Sequence, residues 1–138
     1  MPHHTHTIAL ETTGPGMHDI TREIAEWIAT TGVRTGLLTA LCRHTSASLT
    51  INENAAGAVQ RDLVNWLDRI APESAGYEHD CEGPDDMPAH LKAALTGVSL
   101  SVPVQDGAMM LGTWQGVYLI EHRARPHRRE VALHLAGD

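Results

Sequence analysis

Val98-Ser-Leu-Ser-Val-Pro-Val-Gln-Asp-Gly107 reads as a strand that runs into a tight turn. Val98, Leu100, Val102 and Val104 recur at every second position, the period of a half-buried strand. Asp106-Gly107 is a hairpin signal, so the chain turns back on itself. Pro103 donates no ladder hydrogen bond, which puts this strand at an edge or a bulge. Residues 109–123 read as one long strand, or as two broken near Gly112. Arg125-Pro126-His127 is a connecting turn, and residues 129–136 alternate again with Val131, Leu133 and Leu135 inward. The last forty or so residues are thus an antiparallel meander.

Upstream, residues 4–12 alternate with Ile8 and Leu10 on one face, and Gly14-Pro15-Gly16 is a turn. Asp19 suits the cap of a helix over about 19–31, with Ile20, Ile24, Trp27 and Ile28 on one side and Gly32 as its stop. Thr35–Arg43 and Ser46–Ile51 read as strands. Asn54 suits the cap of a helix over about 55–70, with Val59, Leu63, Trp66, Leu67 and Ile70 as its apolar face. A polar loop over 72–87 leads to a short helix from Pro88 to Thr96, with Leu91 and Leu95 on the core side. The expected fold class is α+β: two longer helices and a short one on one side of a largely antiparallel sheet. At 138 residues and 42% apolar composition, one domain over 1–138 with a real core is expected. Phe is absent, so Leu, Ile, Val, Ala and three Trp must fill that core.

A net charge of -7 argues against a general nucleic-acid binder, which needs a basic stripe. Arg123, Arg125, Arg128 and Arg129 cluster late, as a solvated hairpin tip or as an anion clamp. No apolar run reaches the ~18 residues of a membrane span. Two cysteines, Cys42 and Cys81, are too few for a disulfide framework. With no secretory leader in the polar, His-rich first residues, a reduced cytoplasmic protein is expected. His3-His4-Thr5-His6 reads as a solvated strand start.

Ten histidines are the compositional oddity. His44-Thr45-Ser46 ends a strand, where an imidazole can serve as ligand or base and hydroxyls can hold an anion. Asn52-Glu53-Asn54 opens a helix, and free N–H groups there attract phosphate. Asn54 as a plain cap leaves Glu53 unexplained, and Asp62 alone reads as a solvated charge. Tyr77 through His90 packs two histidines, His79 and His90, and five carboxylates into fourteen residues. That set suits Zn²⁺ if nitrogen dominates and Mg²⁺ or Mn²⁺ if oxygen does. A solvated acidic loop is the plain alternative. On the strand from Gly112, Gln115 sits on an apolar face and needs a partner, which a ligand or a buried network can supply. No P-loop, nucleophile elbow or zinc-finger spacing is present.

His44-Thr-Ser-Ala-Ser-Leu-Thr-Ile-Asn-Glu-Asn54, Glu82-Gly-Pro-Asp-Asp-Met-Pro-Ala-His-Leu-Lys-Ala-Ala-Leu95 and Leu111-Gly-Thr-Trp-Gln-Gly-Val-Tyr-Leu-Ile-Glu-His-Arg123 resemble the successive signature blocks of the YjbQ family. The resemblance covers most of the chain from about Asp19. It implies a sheet folded into a sandwich-like core, a homotrimer with sites near subunit boundaries, and a divalent metal. It also implies a secondary thiamine-phosphate synthase, a transferase joining hydroxymethylpyrimidine diphosphate to thiazole phosphate. Carried onto this chain, His44, His79 and His90 are the expected metal ligands, for zinc or magnesium. Catalytic roles fall to His44, Glu53, His79 and Asp62. Contacts to a small phosphorylated substrate fall to Asn52, Gln115 and Glu121 and, from the reading of the residues themselves, to Ser46, Asn54, Arg123 and Arg128. A metal-assisted hydrolase and a non-catalytic binding trimer fit the same residues.

Overall fold

A computed structural model describes residues 1–138. In chain order the elements are β1 (His3–Thr12), β2 (Gly16–Asp19), α1 (Thr21–Thr31), β3 (Gly36–Cys42), β4 (Ala47–Glu53), α2 (Gly57–Ile70), α3 (Asp86–Thr96), β5 (Ser99–Gln105), β6 (Ala108–Met109), β7 (Gln115–Glu121) and β8 (His127–Gly137). A one-turn 3-10 helix, Glu73–Ala75, precedes α3. The strands form two antiparallel sheets, β1-β8-β3-β5-β6 and β2-β7-β4. The α+β class holds, with two curled sheets in place of one.

Alternation builds the core. Val131, Leu133 and Leu135 of β8 face inward beside Leu38 and Ala40 of β3, and Val102 and Val104 of β5. Val117 and Leu119 of β7 meet them from the second sheet, and Ile24 and Ile28 of α1 join the same 17-residue cluster. Each such side chain, fully buried, contributes about 1.5–3 kcal/mol through the hydrophobic effect. The opposite face of β7 is also covered: the Tyr118 hydroxyl accepts from Gln60 of α2 at 2.9 Å. Beside it Ser48 of β4 accepts from Thr96 of α3 at 2.6 Å.

The hairpin at Asp106-Gly107 forms as expected, with both residues at positive φ (53° and 80°). The strand over 109–123 is broken: β6 has only two residues, paired with Val104 and Gln105. At Pro103 the regular pairing with β6 has stopped and only the Met110 N–H reaches its carbonyl, at 2.9 Å, so no ladder partner is lost to the missing N–H.

Element starts differ from the sequence reading. Gly16–Asp19 is a strand, paired with β7 through Glu121–Tyr118, and α1 begins later, at Thr21. Asp19 still serves that helix end, accepting the Thr21 N–H at 2.9 Å and its hydroxyl at 2.6 Å. Asn54 does not cap α2. Its amide donates to the Gln115 carbonyl, while the Glu53 carboxylate accepts the N–H groups of Ala55 and Ala56, each at 3.1 Å. Both N–H groups belong to the segment before Gly57, so no side chain caps α2 itself. Of the apolar face of α2, Leu67 is buried, but Val59, Trp66 and Ile70 stay exposed. Helix α3 starts at Asp86, ahead of Pro88, and buries Ala89 and Ala93. Leu91 and Leu95 face outward, because the close approach of α3 to β4 takes alanine-sized side chains.

Candidate metal centre

The start of α3 sets the site. Asp86 and His90 are four residues apart on one helix, so their side chains lie one above the other on a single face. His79 reaches them from the preceding loop. His79 Nε2 and His90 Nε2 each stand 3.0 Å from the same Asp86 Oδ2. One ligand atom from each of the three residues lies within 4.8 Å of the others.

The protons are constrained. His90 Nδ1 is 2.7 Å from the Thr45 carbonyl, which only accepts, so Nδ1 carries a proton. A neutral His90 then turns a lone pair at Nε2 toward a carboxylate oxygen. Two acceptors so close need a cation, which is either a second proton or a metal ion. Orientation by a carbonyl behind the ring is the usual support of a metal-binding histidine. Behind Asp86, Arg123 Nη1 donates to Oδ1 at 2.6 Å, and Asp86 is 2% exposed. Burial alone would raise the Asp86 pKa. The hydrogen bond from His79 and the charges of His90 and Arg123 outweigh it and hold the carboxyl below its ordinary value. The donor set, two imidazoles and a carboxylate with room for further ligands, fits a divalent metal.

A profile of the family described as "UPF0047 protein YjbQ-like" matches residues 6–138. A UPF0047 protein of Synechocystis sp. is 46% identical over 136 residues, covering 98% of this chain and 92% of its own. The YjbQ protein of Salmonella typhimurium is 46% identical over 133 residues, covering 96% of each. The chain belongs to the YjbQ (UPF0047) family. Among solved structures, a hypothetical protein of Aeropyrum pernix K1 superposes with a TM-score of 0.91 at 28% identity, over 98% of this chain and 99% of that one. A YjbQ/UPF0047 family protein of Clostridium acetobutylicum, described as uncharacterized, gives 0.88 at 35% identity, over 94% and 98%.

Of the residues singled out in this YjbQ-family chain, His79 and His90 converge and His44 does not join them. Its Nε2 accepts the Glu130 N–H at 2.8 Å, so that lone pair is taken and the neutral ring carries its proton on Nδ1. Burial, then the charge of Arg129, lowers the pKa of His44, which favours this neutral form. His44 lines the groove beside His90 instead, with Ala93, Ala94, Gly97 and Val98. Glu53 turns its carboxylate onto the Ala55 and Ala56 N–H groups ahead of α2, and Asn52 Oδ1 accepts from the Glu53 N–H at 2.7 Å. Asp62 is exposed on α2. Gln115 is exposed rather than set on a buried face, and its Oε1 accepts the Gly112 N–H at 2.7 Å. Arg128 is an exposed partner of Glu11 at 3.6 Å. Arg123 is not a free phosphate clamp, because Asp85, Asp86 and the Glu82 carbonyl occupy its three nitrogens.

Ser46 and Glu121 belong to a buried network. Arg129 donates to Glu121 Oε1 at 2.7 Å and Oε2 at 2.5 Å, and to Ser46 Oγ at 2.9 Å, while Thr12 Oγ1 donates to Oε1 at 2.5 Å. These residues hold one another rather than face a groove. The residues missed in the sequence are Asp86, one of five loop carboxylates, and Arg129. The signal for Asp86 was its four-residue spacing to His90, hidden by a helix start placed at Pro88.

His122, 5% exposed, is held by Ser48 Oγ at 2.8 Å. Burial, then the charge of Lys92, lowers its pKa to about 4. The unfolded chain binds the proton near pH 6.5, so the stability this group contributes is full above that pH and falls as pH drops toward 4. The full loss is about 3 kcal/mol. Denaturant melts at pH 7 and pH 4.5 should show the decline, and His122→Gln should reduce it. An unchanged pH slope in the variant would refute the assignment.

Proposed function

We propose that this chain holds a divalent metal at His79, Asp86 and His90 and uses it in a secondary thiamine-phosphate synthase-like transfer. The observation that carries the reading is the convergence of two imidazoles and one carboxylate within 4.8 Å, with His90 oriented by the Thr45 carbonyl. Two nitrogens to one oxygen favours zinc over magnesium. When bound, the ion supplies charge neutralisation for a leaving diphosphate.

The chain's own residues do the rest. His44 and His90 rim an open groove of about 560 Å³ whose floor is Ala93, Ala94, Gly97 and Val98. An apolar floor with a polar rim suits a flat ring bearing a phosphate arm. His44 offers an N–H at Nδ1, a donor for a phosphate oxygen or a ring nitrogen. Positioning both partners in this groove is the larger part of such a transfer.

Homotrimeric assembly is part of the same proposal. Val59, Trp66, Ile70 and Trp114 leave large apolar side chains uncovered on one chain, and further copies would cover them. A cytoplasmic location is proposed with it. Both cysteines are free thiols, and no helix is long and apolar enough to cross a membrane. Recovery from the periplasm would count against that location.

The test is elemental analysis of purified protein, followed by incubation with both substrates together and with each alone. Stoichiometric zinc and product only from the pair are expected. Turnover of one substrate alone would replace the transferase with a metal-assisted hydrolase, and absence of bound metal would end the reading. Light scattering should give three times the 15.0 kDa chain mass.

A further inference from the structure

A second pair of histidines meets on the outer face of the five-stranded sheet. Ile8 and Thr12 of β1, and Val131, Leu133 and Leu135 of β8, point inward, so His3 and His134 point outward. In the β1–β8 register Thr5 is opposite His134 and His3 is opposite Ala136, which makes the two histidines diagonal neighbours. Their rings sit 5.2 Å apart between centroids, and His3 Nδ1 is 3.0 Å from His134 Nε2. Of the N-terminal histidines, only His3 takes part. His4 and His6 fall on the other side of β1, and His6 stacks on Trp27 at 5.5 Å and 14°.

We propose that His3 and His134 form a second metal site, one that takes Cu²⁺. Two ring nitrogens this close share one proton between two lone pairs, and a metal ion can replace that proton and bind both. Ligand type selects the ion: an all-imidazole pair suits copper(II), which stands at the top of the affinity order of the divalent first-row metals. The observed 3.0 Å lets a single ion reach both nitrogens with little movement of either ring. Paired strands hold both backbones, so few torsions are ordered on binding. Thr5 and Thr39 flank His134 across its two neighbouring strands, and the exposed side of His3 leaves space for water in the remaining positions. This site shares no residue with the His79/Asp86/His90 group and stands whether or not that group binds zinc.

The probe is Cu²⁺, titrated into the full chain and read by electron paramagnetic resonance. The titration is run on wild type and on a His79→Gln/His90→Gln background that isolates the second site. A tetragonal spectrum with two-nitrogen coordination is expected on the isolating background, where the single variants are compared. His134→Gln and His3→Gln should each weaken that binding at least tenfold, and His4→Gln should leave it unchanged. The proposal is overturned if both single variants keep wild-type affinity and spectrum, or if His4→Gln abolishes the signal. Both substituted side chains lie on the outer face, and circular dichroism checks that the variants fold.

Discussion

Glu121→Ala should lose about 3–5 kcal/mol of stability, the largest single effect expected in this chain. Glu121 is 1% exposed and Arg129 3%, and the two share a bidentate contact. Burial alone would raise the Glu121 pKa. The hydrogen bonds from Arg129, Thr12 and the Arg123 N–H, with the charge of Arg129, more than reverse it and hold the group below its ordinary value. Alanine removes the acceptor and leaves a guanidinium buried without a counter-charge, which costs far more than the pair contributes. Glu121→Gln keeps the volume but not the charge and should fall between the two. Replacing both partners by apolar residues, as in Glu121→Leu with Arg129→Met, should recover part of the loss. Urea melts of the four proteins decide it. A loss under about 1 kcal/mol for Glu121→Ala would mean that water reaches Arg129 and the network is not sealed.

Asp86→Asn should weaken metal binding by more than about 100-fold and abolish the proposed transfer. The substitution keeps the shape but removes the charge that both histidines face. Losses of 10–100-fold are usual for the supporting residues of a metal site, so a direct ligand should exceed them. Arg123→Gln tests the distinction, since Arg123 touches Asp86 but not the ion site. It should fall within the 10–100-fold range and leave a weaker site of the same metal. Competition against a chromophoric chelator measures both. Equal affinities in Asp86→Asn and wild type would remove Asp86 from the ligand set.

The core strands were legible because period-two alternation survives any detail of packing: Val102, Val104, Val131, Leu133 and Leu135 all face inward. Strand β2 was not, since four residues including Gly16 and His18 carry no pattern. The start of α2 was displaced because Asn54, the polar residue nearest it, binds the Gln115 carbonyl and leaves the helix end without a side-chain cap. In α3 the larger side chains pointed the reading to Leu91 and Leu95, whereas contact distance to β4 selects Ala89 and Ala93. For the site, His79 and His90 stood out by residue type. Asp86 did not, because its distinction from four other loop carboxylates is a matter of burial, and Arg123 had to be placed before that burial could be seen. Glu121 and Arg129 looked like separate charges, and only the β7–β8 return brings them together.

Asp86 and His90 sit one helical turn apart, one tethered by Arg123 and the other by the Thr45 carbonyl. Both tethers are supplied by the protein itself, so the site should keep its shape with a proton in place of the ion. A cation arriving there should find a mould already cast, and chelation should empty it with the melting temperature nearly unchanged. Small domains that crystallise around zinc and collapse on its removal behave in the opposite way.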